Sequence, residues 1–355
     1  MQIVDATLLP YRLPLTSPWA SAVGRWQSRQ GWLIRITDQS GRSGHGDAAP
    51  LPAAGTETLP QARSWLLSRF ARLTGETPTQ ARSQLPQPGN HPAARCGLET
   101  ALLDLQSQQQ AVPLYELLGG SPGQAIRLNT AIGGLDPQTA TRAHTAIAAS
   151  YATLKLKLGL APIHTELDLL HQLCDQLPPG VQLRLDANRA WRNAEALQLI
   201  EQLNPLPIEC LEEPLRHPIG ATLAQLQTRA RFDLALDESL PGYIQGQQLQ
   251  SIPVRRIIIK PTCLGGLMPA LDLIRLAHRS GIRCVITSTL ESSAGIWPLC
   301  HLAAAADTLT TPATHGLATS DWFSRNLGAP PAIVDGQVTV GAVPGTGFVP
   351  EPEAG

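Results

Sequence analysis

The feature that most constrains this chain is an alternation beginning near residue 120, where short apolar runs are separated by amphipathic helical stretches. The runs begin 23 to 30 residues apart, and most end in polar or charged residues. Alternation at this spacing predicts parallel strands joined by crossover helices. Eight such units over about 200 residues predict a closed barrel rather than an open sheet. The runs, of which the last is weak, are Ala125–Ile132, Ala152–Leu158, Gln182–Asn188, Ile208–Glu213, Asp233–Glu238, Arg256–Lys260, Cys284–Thr289 and Thr308–Ala313.

The first 120 residues follow a different pattern. Two segments alternate as antiparallel strands do, a glycine-rich loop follows them, and two helical stretches come next. These segments are Ile3–Leu9, Trp32–Thr37, Gly41–Gly46, Gln61–Leu73 and Ala93–Gln109. The mixture predicts a separate α+β domain over residues 1–120, followed by the barrel over residues 121–321. The tail over residues 322–355, which contains one strand at Ala332–Val340, is expected to complete the first domain.

Composition argues against several classes of function. The formal net charge of −1 disfavours a nucleic-acid or membrane surface. No run approaches the roughly 18 apolar residues that a membrane-spanning helix needs. Residues 1–5 lack the basic start and apolar run of a secretory signal. The six cysteines form no CxxC pair, which fits a reducing cytoplasm better than a disulfide scaffold or a zinc site.

Lysine is rare in this chain, and its few positions are informative. Lys and Arg total 27, but only three of these residues are lysines, and all three lie in apolar, strand-like runs. Arg can replace Lys as a surface cation, but a guanidinium group does not lose its proton in proteins and cannot act as a base. We therefore predict that Lys155, Lys157 and Lys260 take part in chemistry.

Lys155 and Lys157 are two residues apart on one predicted strand, so their side chains face the same side. Both ammonium groups should lie inside the barrel near its carboxyl end, where barrel active sites are found. Burial and mutual repulsion would lower both pKa values, and a lysine with a pKa of about 7 to 8 can act as a general base. The alternative is a pair of exposed lysines on an edge strand, which the apolar flanking residues disfavour.

Asp186, Glu212 and Asp237 end the next three predicted strands. One carboxylate per successive strand, at the same height, predicts convergence on one point. Three anions so close together would repel strongly unless a cation lay between them. Hard oxygen ligands that leave room for water and substrate suit Mg²⁺. The alternative is that acids at strand ends solvate loops or cap helices, as we expect of Glu213 and Glu238.

Lys260 ends the sixth predicted strand, across the barrel from the lysine pair. Two other roles remain open for it, which are neutralising a carboxylate such as Asp237 and forming a Schiff base. The run Ile286–Gly295 ends the seventh strand with hydroxyl groups and glycine. The hydroxyl groups of Thr287 and Ser288, together with backbone N–H groups at a helix start, could hydrogen-bond a substrate carboxylate.

The order of these residues resembles a known family. A Lys-x-Lys strand, then Asp, Glu and Asp on three successive strands, then Lys on the sixth strand resembles the enolase superfamily in its muconate-lactonizing branch. Shorter motifs resemble, more narrowly, the o-succinylbenzoate synthase family. These motifs are Gly44–Pro52, Arg184–Trp191, Leu211–Pro214, Asp237–Leu240, Ile259–Thr262 and Ser288–Ser293. The first motif departs from that family's pattern, which more often has Glu where Asp47 stands.

The resemblance implies an α/β fold, namely a modified TIM barrel of the (β/α)7β type with an N-terminal α+β capping domain. It implies a carbon–oxygen lyase that uses Mg²⁺, with Mn²⁺ able to substitute. The enzyme would remove water from 2-succinyl-6-hydroxy-2,4-cyclohexadiene-1-carboxylate to form o-succinylbenzoate, on the route to menaquinone or phylloquinone. The implied partner is this small carboxylate, in the cytoplasm, without nucleic acid or membrane. The sequence does not indicate an oligomeric state.

The resemblance also implies roles for individual residues. Lys157 would take the α-proton, Lys155 would keep the pKa of Lys157 low, and Lys260 would stay protonated and stabilise the anionic intermediate. The expected metal ligands are Asp186, Glu212 and Asp237. The residues expected to bind the substrate or to support the ligands are Arg184, Asn188, Thr287, Ser288 and Gly316.

Two other functions remain open at this stage. One is an N-acylamino acid racemase or dipeptide epimerase of the same superfamily. The Asp-x-Asp pair expected there for an α-ammonium group is missing near Thr314–Leu317, which disfavours dipeptides and leaves N-acyl substrates open. The other is a Mg²⁺-binding scaffold barrel without turnover, in which the three lysines would have been free to become arginines.

Overall fold

The computed structural model describes residues 1–21, 24–123, 125–246 and 252–351. Its strands are β1 (Ile3–Ser21), β2 (Gly24–Asp38), β3 (Ser43–Ala48), β4 (Ala125–Leu128), β5 (Thr130–Gly134), β6 (Thr153–Lys157), β7 (Gln182–Asp186), β8 (Ile208–Glu212), β9 (Asp233–Leu236), β10 (Arg256–Ile259), β11 (Arg283–Ile286), β12 (Thr314–His315) and β13 (Gln337–Thr339). Its helices are α1 (Leu59–Phe70), α2 (Pro78–Ser83), α3 (Pro92–Gln110), α4 (Leu114–Leu117), α5 (Thr139–Ala148), α6 (Ile163–Cys174), α7 (Asn193–Leu203), α8 (Gly220–Arg229), α9 (Leu240–Gly246), α10 (Pro261–Leu264), α11 (Leu267–Arg279) and α12 (Ser293–Leu309). Within these ranges, none of the helices combines the length and the apolar character needed to cross a membrane.

The N-terminal part is an antiparallel sheet, in the order β1–β2–β3, that packs against helix α3. Alternate residues of β2 face the helix, because side chains of a strand point to opposite sides in turn. Ile34 and Ile36 are fully buried, and they join Leu98 and Leu102 of α3 in one apolar cluster. The structure therefore has the N-terminal α+β capping domain that the sequence predicts.

Two glycines allow α3 to lie directly on β3. A Cβ atom at Gly44 would lie 2.3 Å from the carbonyl oxygen of Ala101, and one at Gly46 would lie 2.0 Å from that of Gly97. Both distances are far inside van der Waals contact, so any larger residue would force strand and helix apart. The sequence pattern predicts a loop for this glycine-rich run. Its last four residues instead belong to strand β3, and Gly44 and Gly46 serve packing.

Strands β5 to β11 form a curled seven-stranded sheet in chain order, and each strand is parallel to its neighbour. At least one helix of the series α5 to α11 lies between each strand and the next. Leu156, Leu185 and Leu211 on three of these strands are fully buried in a core shared with the helices. The predicted parallel strands with crossover helices are therefore confirmed.

A smaller sheet, in the order β12–β4–β13, lies beside the first strand of the large one. The predicted run Ala125–Ile132 is divided between β4 and β5, and Asn129 separates them. Strand β12 is parallel to β4. On its other side, the N–H group of Gly316 donates to the carbonyl oxygen of Ile286 at 2.8 Å, and its own oxygen accepts from Ser288 at 3.2 Å. The segment β12–Gly316 thus lies between β4 and the end of β11.

Two predicted strands differ from the structure. The run Thr308–Ala313 is not a strand, because the alanines at 303–306 favour helix and α12 continues into the run. The strand at this point is the shorter β12. In the tail, the predicted strand Ala332–Val340 is reduced to β13, because Asp335 and Gly336 turn the chain with φ values of +51° and +67°. Strand β13 pairs with β4 rather than with the N-terminal sheet.

We expect Gly46→Ala to lower the free energy of unfolding by about 1–3 kcal/mol, because the methyl group would push α3 off β3. Urea denaturation followed by circular dichroism measures this change. Gly89→Ala is the matched control, since a Cβ atom there would meet only the oxygen of Gln87 at 3.9 Å. The control should change stability by no more than about 0.5 kcal/mol. Equal stability of the Gly46→Ala variant and the wild type would contradict the close packing.

Candidate active site

The carboxyl ends of β6 to β9 bring the predicted acids and lysines side by side. Lys157, the last residue of β6, is in register with Asp186 at the end of β7. Asp186 is in register with Glu212 at the end of β8, and Asp237 directly follows β9. The three acids are buried, with only 6%, 1% and 7% of their surfaces exposed. The predicted carboxylate at the end of each of three successive strands is therefore present.

Lys155 lies between two of these acids. Its Nζ atom is 3.1 Å from Oδ2 of Asp186 and 2.5 Å from Oε2 of Glu212. Burial opposes the positive charge of Lys155, but the attraction of the carboxylates outweighs it and raises the pKa of this lysine. The prediction that both lysines of the pair have lowered pKa values is thus wrong for Lys155, because its nearest neighbours are anions rather than Lys157.

Lys157 has a different environment, although it lies on the same strand. None of its neighbours in the described ranges forms an ion pair with it. Burial lowers the pKa of Lys157, and repulsion from Lys155 and Lys260 acts in the same direction against the attraction of Asp186. The prediction of a lowered pKa is confirmed for Lys157. A larger fraction of its amine is therefore unprotonated at neutral pH, and able to take a proton, than in an ordinary lysine.

Lys260 directly follows β10, and its Nζ atom lies 2.6 Å from Oδ2 of Asp237. Burial opposes its charge, but Asp237 and then Glu238 raise the pKa of Lys260. The side chain therefore stays an ammonium ion at neutral pH. This state disfavours the Schiff-base alternative, because only a neutral amine attacks a carbonyl group.

The three acids can be tested as a metal-binding set. In the ranges that the structure describes, no three His, Cys, Asp or Glu side chains converge closely enough to hold an ion. The predicted convergence of the three carboxylates on one point is not seen, because two of them are bonded to Lys155 and the third to Lys260. The donor chemistry still fits a hard divalent cation, since three buried carboxylates end adjacent strands and an ammonium group already lies between two of them.

Glu213 supports the loop that carries Asp237, a role that its position after Glu212 did not reveal. Its buried carboxylate accepts hydrogen bonds from the N–H groups of Asp237 and Ser239 at 2.7 and 2.9 Å. The hydroxyl group of Ser239 also donates to it, at 2.5 Å. Burial raises the pKa of Glu213. The alternative expected from the sequence, that Glu213 solvates a loop or caps a helix, is close to what this residue does.

Asn188 connects two of the loops that follow the strands. Its N–H group donates to Oδ1 of Asp186 at 3.1 Å, and its side-chain amide donates to Oε1 of Glu238 at 2.7 Å. The backbone of Asn188 is left-handed, with a φ of +41°. Asn adopts this conformation more readily than most residues. The residue therefore lies beside a predicted ligand, where the sequence analysis expected it.

Arg184 lies lower in the interior, beneath the acids. Its guanidinium group bonds Glu209 at 2.9–3.1 Å and the carbonyl oxygen of Thr314 at 2.9 Å, and its Nε atom is 3.9 Å from Oε1 of Glu212. Glu209 also bonds Arg256, so alternating charges continue across the sheet. Glu209 and Arg256 are not predicted from the sequence, because a charged residue near the start of a strand cannot be distinguished from a solvated loop residue until its partner is known.

Thr287, Ser288 and Gly316 come together at the end of β11. The hydroxyl group of Thr287 donates to the carbonyl oxygen of Gly316 at 3.0 Å, and that of Ser288 bonds Oγ1 of Thr319 at 2.8 Å. A Cβ atom at residue 316 would lie 2.4 Å from Oγ1 of Thr287, so only glycine fits there. The structure thus places these three predicted residues next to one another.

Comparisons with known proteins agree with this geometry. Residues 138–354 match the family model described as "Enolase C-terminal domain-like", and residues 3–105 match the model "MenC, N-terminal domain". The o-succinylbenzoate synthase of Edwardsiella ictaluri is 33% identical over 311 residues, which cover 84% of this chain and 86% of that protein. The L-Ala-D/L-Glu epimerase of Bacillus subtilis is 27% identical over 321 residues, covering 87% of each.

Among solved structures, a dipeptide epimerase from Methylococcus capsulatus, complexed with Mg and the dipeptide L-Arg-D-Lys, superposes with a TM-score of 0.85. It is 26% identical, and the match covers 98% of this chain and 99% of that one. A curled parallel sheet with this set of lysines and acids, together with these matches, defines an enzyme of the enolase superfamily. Within that superfamily, the chain belongs to the o-succinylbenzoate synthase family.

Proposed function

We propose that this enzyme is a carbon–oxygen lyase that converts 2-succinyl-6-hydroxy-2,4-cyclohexadiene-1-carboxylate to o-succinylbenzoate, a step of menaquinone or phylloquinone biosynthesis. The observation that carries the proposal is the match of residues 3–105 to the MenC N-terminal model. The C-terminal model is common to a wider group, so it supports the class of chemistry rather than the substrate. Incubating the purified protein with this acid and following the aromatic absorbance of the product tests the proposal.

We further propose that the large sheet closes into a modified TIM barrel of the (β/α)7β type. Support comes from β12, which pairs with β4 on one side and continues into Gly316, hydrogen-bonded to the end of β11, on the other. The N–H group of Asn129, between β4 and β5, also donates to the oxygen of His315 at 2.9 Å. In this proposal residues 121–321 form the barrel, and residues 1–120 with 322–355 form the cap, except that strand β13 of the tail pairs with β4 of the barrel.

Lys157 is the base in the proposed reaction, because it forms no ion pair among the residues that the structure describes and its pKa is lowered. Its amine takes the proton on the carbon that bears the carboxylate. The hydroxyl group leaves from the adjacent carbon on the same face, and the new ammonium group of Lys157 returns the proton to it. Water is thereby lost and the ring becomes aromatic. Lys260, held at Asp237, keeps its charge and stabilises the anionic ring on the opposite face.

Asp186, Glu212 and Asp237 would hold Mg²⁺, or Mn²⁺ in its place. When bound, the ion supplies positive charge beside the substrate carboxylate. Lys155 holds two of these acids in place and adds to the repulsion that lowers the pKa of Lys157. Substrate binding or support of the ligands is assigned to Arg184, Asn188, Thr287, Ser288 and Gly316.

A racemase or epimerase is the second candidate. It is favoured by the 27% identity to the Bacillus subtilis epimerase and by the presence of one lysine on each side of the site. Such an enzyme would need Lys157 and Lys260 to exchange protons with one carbon from opposite faces. The ion pair of Lys260 with Asp237 and its raised pKa favour a fixed ammonium group instead.

We infer a small carboxylate as the partner and the cytoplasm as the compartment. All six cysteines are free thiols, which supports a reducing environment. Burial raises the pKa values of several of them, among them Cys174 to about 11, so they are poor nucleophiles and poor metal ligands. This leaves the lysines and acids at the strand ends as the reactive groups.

Excess chelator should abolish turnover and leave the fold intact, because the ion serves the chemistry rather than the core. Asp186→Ala, Glu212→Ala and Asp237→Ala should each have the same effect. The measurements are product absorbance before and after Mg²⁺ is added back, with circular dichroism as the check on folding. Full activity in excess chelator would contradict the metal assignment.

Lys157→Arg should lose activity by about 10²–10⁴-fold although the positive charge is kept, because Arg cannot accept the proton. Steady-state kinetics with the cyclohexadiene acid measure the loss. Arg72→Lys, an exchange of the two cations at an exposed position, is the control and should leave kcat unchanged. If Lys157→Arg keeps more than about a tenth of the activity, another residue is the base.

Lys260→Arg separates the two candidate functions. The variant keeps the charge but blocks proton transfer, so it should retain measurable dehydration and lose any racemisation entirely. Product absorbance follows the first activity, and deuterium incorporation at the α-carbon of an N-succinylamino acid follows the second. Complete loss of both, in a variant that is folded and binds Mg²⁺, would count against a purely electrostatic role for Lys260.

A further inference from the structure

The turn after β11 contains a strained and buried residue. Leu290 has a φ of +61°, a left-handed conformation that strains the backbone of a residue with a side chain. It is nevertheless almost fully buried, next to Leu13 and Phe323. The turn lies between Ser288, at the end of the strand, and the start of α12. Strain of this kind persists only where the surrounding contacts hold the backbone in place.

Glu291 makes those contacts. Its carboxylate, 2% exposed, accepts from the N–H group of Thr289 at 2.6 Å and from the hydroxyl groups of Thr289 and Thr262, the latter at 2.5 Å. No ion pair among the described residues includes it. A buried carboxylate without a cation depends on such donors, and removing them leaves the full cost of its desolvation. The hydrogen bonds of Glu291 with Thr289 and Thr262 are therefore costly to break.

Thr262 links this carboxylate to the catalytic lysine. It lies in the single turn of α10, and Lys260 directly precedes that turn as its N-cap residue. The backbone oxygen of Lys260 accepts from the N–H groups of Cys263 and Leu264 at 2.9 and 3.1 Å. A tether on Thr262 consequently restrains the backbone of Lys260. Glu291 thus joins the loop after β10 to the loop after β11.

The capping domain contacts the residues on both sides of Glu291. Nε of Arg29 donates to the carbonyl oxygen of the strained Leu290 at 3.1 Å. Oδ2 of Asp47 accepts from the N–H and hydroxyl groups of Ser292 at 2.8 and 2.7 Å. A Cβ atom at Gly295 would lie 2.5 Å from Cβ of the glutamate and 3.1 Å from Oδ2 of Asp47, so glycine is needed where the three meet. The cap and the loops at the strand ends are therefore tightly packed at this point.

We propose that Glu291 is a positioning residue of this enzyme: through Thr262 it sets the place of the Lys260 ammonium group, and through Thr289 it holds the turn beside Ser288. The inference rests on the proposed function, which makes Lys260 part of the site. Its physical basis is a single carboxylate that joins two loops from adjacent strands: Oε1 accepts from the hydroxyl groups of Thr262 and Thr289, and Oε2 accepts from the N–H group of Thr289. An error of about 1 Å in a catalytic group can lower the rate about 100-fold, so such a tether matters for turnover.

The first test is a mutant cycle of Glu291 and Thr262. We expect Glu291→Gln and Thr262→Val each to lower kcat about 10- to 100-fold. Thr262→Val should leave KM within about threefold, because the turn beside Ser288 is still held, and Thr262→Ser should restore kcat. The double variant should be no slower than Glu291→Gln alone, since both changes disturb the same contact between Thr262 and residue 291. Losses that multiply, or unchanged kcat in folded Glu291→Gln or Thr262→Val, would overturn the proposal.

Asp104→Asn is the matched control for the loss of a buried carboxylate. Asp104 also accepts from two backbone N–H groups, those of His45 and Thr346 at 2.8 and 2.7 Å, but it lies on α3 away from the strand ends. We expect this variant to lose stability and to keep kcat. A drop in kcat as large as that of Glu291→Gln would assign the effect to general destabilisation and contradict a positioning role.

A second readout does not depend on activity. Because the chain has only three lysines, protein labelled with ¹⁵N at lysine Nζ yields few ammonium signals, which the three Lys→Arg variants assign. Glu291→Gln and Thr262→Val should shift the Lys260 signal and leave that of Lys155 in place. An unmoved Lys260 signal in both would overturn the proposal. If the wild type forms no o-succinylbenzoate, the proposed function fails, while this experiment still decides whether Glu291 positions Lys260.

Discussion

The register of the parallel strands is the constraint on which the site depends. Side chains alternate between the two faces of a strand, so a slip of one residue between β6 and β7 would turn the whole set of inward groups outward. The register between β6 and β7 pairs Lys157 with Asp186, and the register between β7 and β8 pairs Asp186 with Glu212. Leucines between these residues, such as Leu156 and Leu185, are fully buried against the helices. Burial of these apolar residues thus fixes the height at which the charged groups lie.

Charges inside such a sheet need partners, because an unpaired buried ion costs far more than it gains. The structure meets this need at two levels. At the strand ends, Lys155 and Lys260 pair with the three acids. Below them, Arg184, Glu209 and Arg256 form a line of alternating sign. Lys157, by contrast, forms no ion pair among the described residues, and this makes it suitable for the proposed role of base.

Polar contacts join the cap to the loops at the strand ends. Arg29 and Asp47 reach from the cap to the turn at Leu290 and to Ser292. Gly44 and Gly46, on the same strand as Asp47, bring helix α3 against the sheet. One short run of the cap therefore serves its own packing and the contact with the loops after β11.

The sequence by itself determined the class of fold and predicted the reactive groups. Periodicity is a local property, so it was enough to predict the parallel strands, the crossover helices and the acid at the end of each of three strands. The scarcity of lysine was enough to select Lys155, Lys157 and Lys260. Only the tertiary structure decided which way each pKa moves, because the nearest charge to Lys155 is an acid two strands away. It alone also placed Glu291, whose partner Thr262 is 29 residues distant in the chain, and it replaced the predicted eighth strand by β12. These features depend on contacts between segments far apart in sequence, which no local pattern records.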